Sequence, residues 1–193
     1  NPEGIAASLR GAADLAVTVG ETLSAEALYD QAEMNTTTDT ETANRLLGRA
    51  SLAIAMGDWS AASQRLSRVR RMGLEHPGLL ANLKRREADK AFRSGDLVSG
   101  AHCAQAAHAL YCQAGSPEAA ARCTRLMADA AALQGDLEPA RALYREAALS
   151  QIRTGDWLGL QRSMRHIAEI SAPEIAETLR QITTELVVIE GTP

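Results

Sequence analysis

The stretch Ala128-Asp129-Ala130-Ala131-Ala132-Leu133-Gln134-Gly135-Asp136-Leu137-Glu138-Pro139-Ala140-Arg141-Ala142-Leu143-Tyr144-Arg145-Glu146-Ala147 reads as two helices and the joint between them. Gly135 suits the left-handed conformation that ends a helix. Asp136 suits the residue that opens the next one, accepting a hydrogen bond from its free N–H groups. Small residues at 128, 131, 140 and 147 lie three or more apart on the two helices. They let the backbones approach closely, and the Leu143-Tyr144 pair fills the space beside them.

The joint recurs along the chain. Gly-Asp occurs at Gly57-Asp58, Gly95-Asp96 and Gly155-Asp156 as well, followed by Trp59, Leu97 and Trp157. Gly115-Ser116-Pro117 and Gly20-Glu21-Thr22 play the same part, with Pro117 suited to a first helical turn. From Gly95 the joints recur every 20 residues, at Gly115, Gly135 and Gly155, so a helix pair takes about 40. Ala88, Ala128 and Ala168 fall in step with that period, and Ala25–Ala32 parallels Ala140–Ala147. The pattern predicts five helix pairs in one repeat domain, near residues 4–34, 41–72, 79–114, 117–153 and 157–189. First helices are expected near 4–19, 41–56, 79–94, 117–134 and 157–171, and their partners near 22–34, 59–72, 97–114, 137–153 and 174–189.

Composition agrees. Of 193 residues 46% are hydrophobic, only 3% are aromatic, and Ala is about a fifth. Ala is the best helix former and a poor strand former, which excludes β-sandwiches and barrels. The formal charge of −4 gives no global pull toward nucleic acid. No run of eighteen apolar residues marks a membrane span, and no basic start followed by an apolar run marks a secretory signal. Cys103, Cys112 and Cys123 form no paired framework, which fits a reducing cytoplasm. The chain opens on Asn1 rather than Met, as expected of a piece of a longer protein.

On these residues the chain resembles tetratricopeptide repeats. Ala128, Ala131, Gly135-Asp136, Ala140, Tyr144 and Ala147 carry the best match, followed by Ala13, Ala16, Gly20, Ala25, Tyr29 and Ala32. The pair around Gly95 departs from the family pattern at Gly100 and Ala104, and Ala172-Pro173 replaces the last Gly-Asp. The resemblance implies an all-α, right-handed α-α superhelix whose first helices line a concave, peptide-binding groove. The 40-residue period is similar to the repeat regions of bacterial regulatory proteins and signal-transduction ATPases. That implies a signalling or transcription-regulation context.

A second pattern rides on the first helices. Arg10–Asp14, Arg85–Asp89, Arg125–Asp129 and Arg165–Glu169 all read Arg-x-x-Ala-acid, and the last three are 40 residues apart. Arg and acid four apart share a helix face. Asn82, Arg122 and Arg162 lie one turn earlier, and Phe92 and Arg93 one turn later on the third first helix. The candidate binding residues are therefore Asn82, Arg85, Asp89, Phe92, Arg93, Arg122, Arg125, Asp129, Arg162, Arg165 and Glu169. Two readings stay open. One is a salt-bridge ladder between neighbouring repeats. The other is recognition of an acidic peptide or terminal carboxylate by planar, bidentate guanidinium groups. The second pair breaks the pattern with Leu47 and Ser51.

Between Arg65 and Arg93 nine basic residues face Glu75, Glu87 and Asp89 alone, a surplus of +6. Only Phe92 interrupts them, so base stacking on nucleic acid is not expected. His108, Cys112 and Cys123 lack the tight Cys pairs of structural zinc and read as packing residues. No phosphate loop, nucleophile elbow or metalloprotease helix occurs. The expectation is a non-catalytic module without cofactor or metal that binds a protein or peptide, with a small anionic effector or self-association as alternatives.

Overall fold

The computed structural model describes residues 2–171 together with 175, 177, 178, 180 and 181. Among these, all regular structure is helical: α1 (Pro2–Val19), α2 (Thr22–Met34), α3 (Asp39–Met56), α4 (Trp59–Arg71), α5 (Pro77–Arg93), α6 (Leu97–Gln113), α7 (Pro117–Gln134), α8 (Leu137–Thr154) and α9 (Trp157–Ile170). The expected boundaries hold within two residues for these nine. The expected helix near 174–189 lies largely outside the described residues.

The chain divides into two compact units, Asn1–Asp96 and a second from Leu97 on. The boundary falls at the α5–α6 joint, so the helices expected as the pair 79–114 belong to different units. In the first unit α1 packs on α2, α3 on α4, and α5 on both α3 and α4. In the second, α6 packs on α7, α7 on α8, and α8 on α9. Within each unit chain neighbours are thus packing neighbours, as short joints require.

All six glycine joints share one geometry. Gly20, Gly57, Gly95, Gly115, Gly135 and Gly155 have φ between +67° and +88°. At Gly57 the glycine N–H donates to Ile54 O at 3.2 Å and the Asp58 N–H to Ala53 O at 2.9 Å. At Gly135 the same two bonds reach Ala132 O at 3.1 Å and Ala131 O at 2.9 Å. This is the Schellman closure, which satisfies the last carbonyls of one helix. The expected side-chain caps form at Asp58, which accepts from the Ala61 N–H, and at Asp156, which accepts from the Gly159 N–H. They do not form at Asp136 or Ser116. For Asp136 the cause is plain: the residue three positions on is Pro139, which has no N–H to donate.

The seam is made of alanine. Ala13, Ala25, Ala32, Ala50, Ala62, Ala88, Ala128, Ala140 and Ala147 are fully buried. Tyr29 packs with Ala13, Ala16, Ala25 and Leu52, and Tyr144 with Ala128, Ala140 and Ile167. Around α3, α4 and α5 the ring is replaced by Leu46, Leu47, Leu66, Val69, Leu79 and Leu83. Trp59 and Trp157 follow their joints and stay 36% and 46% exposed. The fit is tightest at Gly48, where an added Cβ would sit 2.6 Å from the buried Tyr29 ring. Gly48→Ala is expected to cost about 1–3 kcal/mol through overpacking. Gly11→Ala, where a Cβ meets nothing within 4 Å, should gain about 0.5–1 kcal/mol from helix propensity. Urea denaturation of the two variants measures both.

Candidate functional site

The carboxylates of the Arg-x-x-Ala-acid pattern have a structural partner that spacing alone does not show. Arg125 Nη1 donates to Asp129 Oδ2 at 3.0 Å within α7. The Tyr144 hydroxyl, reaching across from α8, donates to Asp129 Oδ1 at 2.7 Å. Both oxygens of one carboxylate are therefore engaged, one along the helix and one across the pair. The first pair repeats the arrangement: Arg10 lies 3.6 Å from Asp14, and the Tyr29 hydroxyl donates to Asp14 at 2.5 Å. Acid and ring are fifteen residues apart in both cases. Fifteen residues after Asp89 stands Ala104, which has no hydroxyl. Asp89 instead takes Arg85 at 3.2 Å and Arg86 at 3.6 Å, both from its own helix.

Burial and the adjacent carboxylate both push the Tyr29 and Tyr144 phenols far above their ordinary range. Burial is the larger cause, since the phenolate would lose its hydration. The Tyr144 ring is also stacked on His166 of α9, with centroids 5.2 Å apart. His166 Nδ1 lies 3.3 Å from Glu169. One tyrosine thus touches the carboxylate of α7 and the imidazole of α9 at once.

The candidate residues divide between the units. Asn82, Arg85, Asp89, Phe92 and Arg93 lie on α5, with Phe92 half-buried and Arg93 exposed. Arg122, Arg125 and Asp129 lie on α7, and Arg162, Arg165 and Glu169 on α9. Arg125 is half-buried, while Arg122, Arg162 and Arg165 are exposed. Arg122 reaches Asp156 at 3.7 Å and Glu118 at 3.9 Å, and Arg165 reaches Glu169 at 3.8 Å. Of the ladder expected between neighbouring repeats, one rung is present, since Arg10 also reaches Glu41 of α3 at 3.0 Å. Each of the four pattern pairs also closes within its own helix, because residues four apart share a face. The two tyrosine hydroxyls and the ion pair Arg122–Asp156 are further links beyond a single helix.

The cysteines behave differently from one another. Cys123 is fully buried, as a packing residue should be. Cys112 is exposed, with its sulfur 3.9 Å from the His108 ring nitrogens. Among the described residues no three His, Cys, Asp or Glu side chains gather as metal ligands. No helix of the described residues is long and apolar enough to cross a membrane.

One cluster lies off the repeat pattern. The places on α3 that match the stripe are Leu47 and Ser51, and Arg45 and Arg49 fall outside it. In the structure they meet Arg65, Arg68 and Arg71 of α4 around a single cleft. The available signal was the basic run of α4 opposite two arginines one turn apart on α3. Compared with known proteins, the chain matches no family model and no curated protein.

Two outcomes follow from the tyrosine bonds. Tyr144→Phe is expected to cost about 1.5–3 kcal/mol, the worth of a hydrogen bond to a charged group. A double-mutant cycle with Asp129→Asn should recover most of it as coupling. The pH response has a definite sign. The folded phenols keep their protons where an unfolded tyrosine loses its own, so stability is retained below about pH 10 and falls above it. Denaturation midpoints measured on either side of that pH should show a smaller alkaline loss in the Tyr29→Phe/Tyr144→Phe variant.

Proposed function

We propose that the chain is a non-catalytic binding module that takes an acidic protein segment along the arginines of α7 and α9. The observation that carries the reading is the division of labour at Asp129. Its two oxygens hold Arg125 and the Tyr144 hydroxyl. Arg125 is thereby fixed in direction with one of its five N–H donors used on that carboxylate. Arg162 stands exposed, with no carboxylate partner among the described residues, and Arg165 is 63% exposed. Guanidinium groups held in place and open to solvent suit carboxylates presented by an extended chain.

The likeness of the helix pairs to tetratricopeptide repeats supports the same reading. The 40-residue period supports placing the module within a larger bacterial regulator. A purely structural role is favoured by a different observation, the tyrosine bonds at Asp14 and Asp129, which explain the acids without any ligand.

The two readings separate in one experiment. Anisotropy of a fluorescein-labelled glutamate-rich peptide should report saturable binding to the intact chain. Arg125→Ala/Arg165→Ala should weaken it by about tenfold or more per arginine, with helicity by circular dichroism unchanged. Absence of binding to the intact chain, together with early unfolding of the double variant, would assign the stripe to scaffolding.

A further inference from the structure

The cleft between α3 and α4 is built for a charge that the protein does not itself supply. Arg45 and Arg49 from α3 and Arg65, Arg68 and Arg71 from α4 line it, with Ser63, Gln64 and Ser67 between them and Glu33 of α2 at its margin. Its volume is about 720 Å³, within the range of small-molecule sites. All of these residues belong to the first unit.

Three observations make the site more than a solvated basic face. First, Arg45 is only 5% exposed, yet its countercharge is the exposed Glu33 at 2.8 Å, and its Nε has no hydrogen-bond partner. The Arg49 Nε is likewise buried without one. A buried N–H left unpaired costs about 1–3 kcal/mol, so Glu33 compensates the buried Arg45 charge incompletely. Second, the cations outnumber the acids. Five arginines face Glu33 and Asp30, which Arg45 and Arg49 already hold. Arg65, Arg68 and Arg71 have no carboxylate partner among the described residues. Lys90 adds a further charge through its bond to the lining Ser63 at 2.7 Å. Third, burial and the neighbouring Arg49 and Arg68 all lower the Arg45 pKa, against the opposing pull of Glu33. The guanidinium groups repel one another across the cleft.

We propose that this cleft binds a small anion carrying at least two phosphate groups. The spacing sets the number. Arg65, Arg68 and Arg71 run along about 9 Å of helix at 1.5 Å per residue. Five arginine forks, three spread over that length and two on α3, offer more donors than the oxygens of one phosphate can accept. The donor chemistry sets the class. Arginine forks match phosphoryl oxygens bidentately, and a diphosphate presents enough acceptors and charge to answer five of them. No aromatic side chain lines the cleft, so a base would have nothing to stack on.

Calorimetric titration of the full chain with inorganic pyrophosphate tests the assignment, with citrate as a carboxylate anion of comparable charge. The expected result is saturable binding of one pyrophosphate per chain, weakening as salt is raised. Citrate should bind at least about tenfold more weakly. Arg65→Ala/Arg68→Ala should lose at least about tenfold in pyrophosphate affinity. Neither side chain has an ion-pair partner among the described residues, so the fold should persist, as circular dichroism would verify. The proposal is overturned if pyrophosphate gives no saturable binding, if citrate binds as tightly, or if the double variant binds as the parent does. None of these outcomes bears on the stripe of α7 and α9, which lies in the other unit.

Discussion

Paired helices in this chain meet along buried alanines. Ala13 and Ala25 in one pair, and Ala128 and Ala140 in another, are fully buried in the shared core, and small side chains there let backbones approach. The apolar burial that stabilises the pair must then come from beside the seam. There Tyr29 with Leu52, and Tyr144 with Ile167, supply much of it. This explains how a domain with 3% aromatic residues still forms a packed interior. It also explains why Gly48 cannot be anything larger, since the Tyr29 ring occupies the space its side chain would need.

Burying a tyrosine brings in its hydroxyl, which must find a partner. Asp14 and Asp129 provide one. Each carboxylate is half-exposed, and Arg10 and Arg125 pair with it from one turn earlier. At these two pairs the acid of the charge pattern answers the seam. The pair that lacks the ring keeps the arginine and the acid, and Asp89 turns to Arg85 and Arg86 instead. The charges that the seam does not explain are those of α3 and α4, where the core is leucine and valine and no tyrosine calls for an acid.

The joints and helices were legible in the sequence because glycine in the left-handed region and alanine on a seam are local requirements, written wherever they apply. Gly20 through Gly155 and the helix ends beside them show this. The role of Asp129 was half legible. Its pairing with Arg125 follows from helical spacing, but its bond to Tyr144 depends on how two helices cross. The capping of α8 turned on Pro139, one residue whose missing N–H overrode the pattern of its neighbours. The Arg45 cleft was hidden for a related reason. Its members come from α3 and α4 at unequal spacings, and only packing puts them around one volume. The division at Asp96 was not legible either, because Gly95 has the same local form as every other joint.

The two exposed tryptophans give the division a practical side. Trp59 belongs to the first unit and Trp157 to the second, each just after its joint glycine. No other indole is present in the chain. Each unit therefore carries its own fluorophore at a helix start, where fraying or ordering changes the ring's contact with water. Replacing one tryptophan by phenylalanine leaves a single-colour chain whose emission follows one unit alone. Whether the units melt together or in turn, and which of them a ligand tightens, can be read by light without any label.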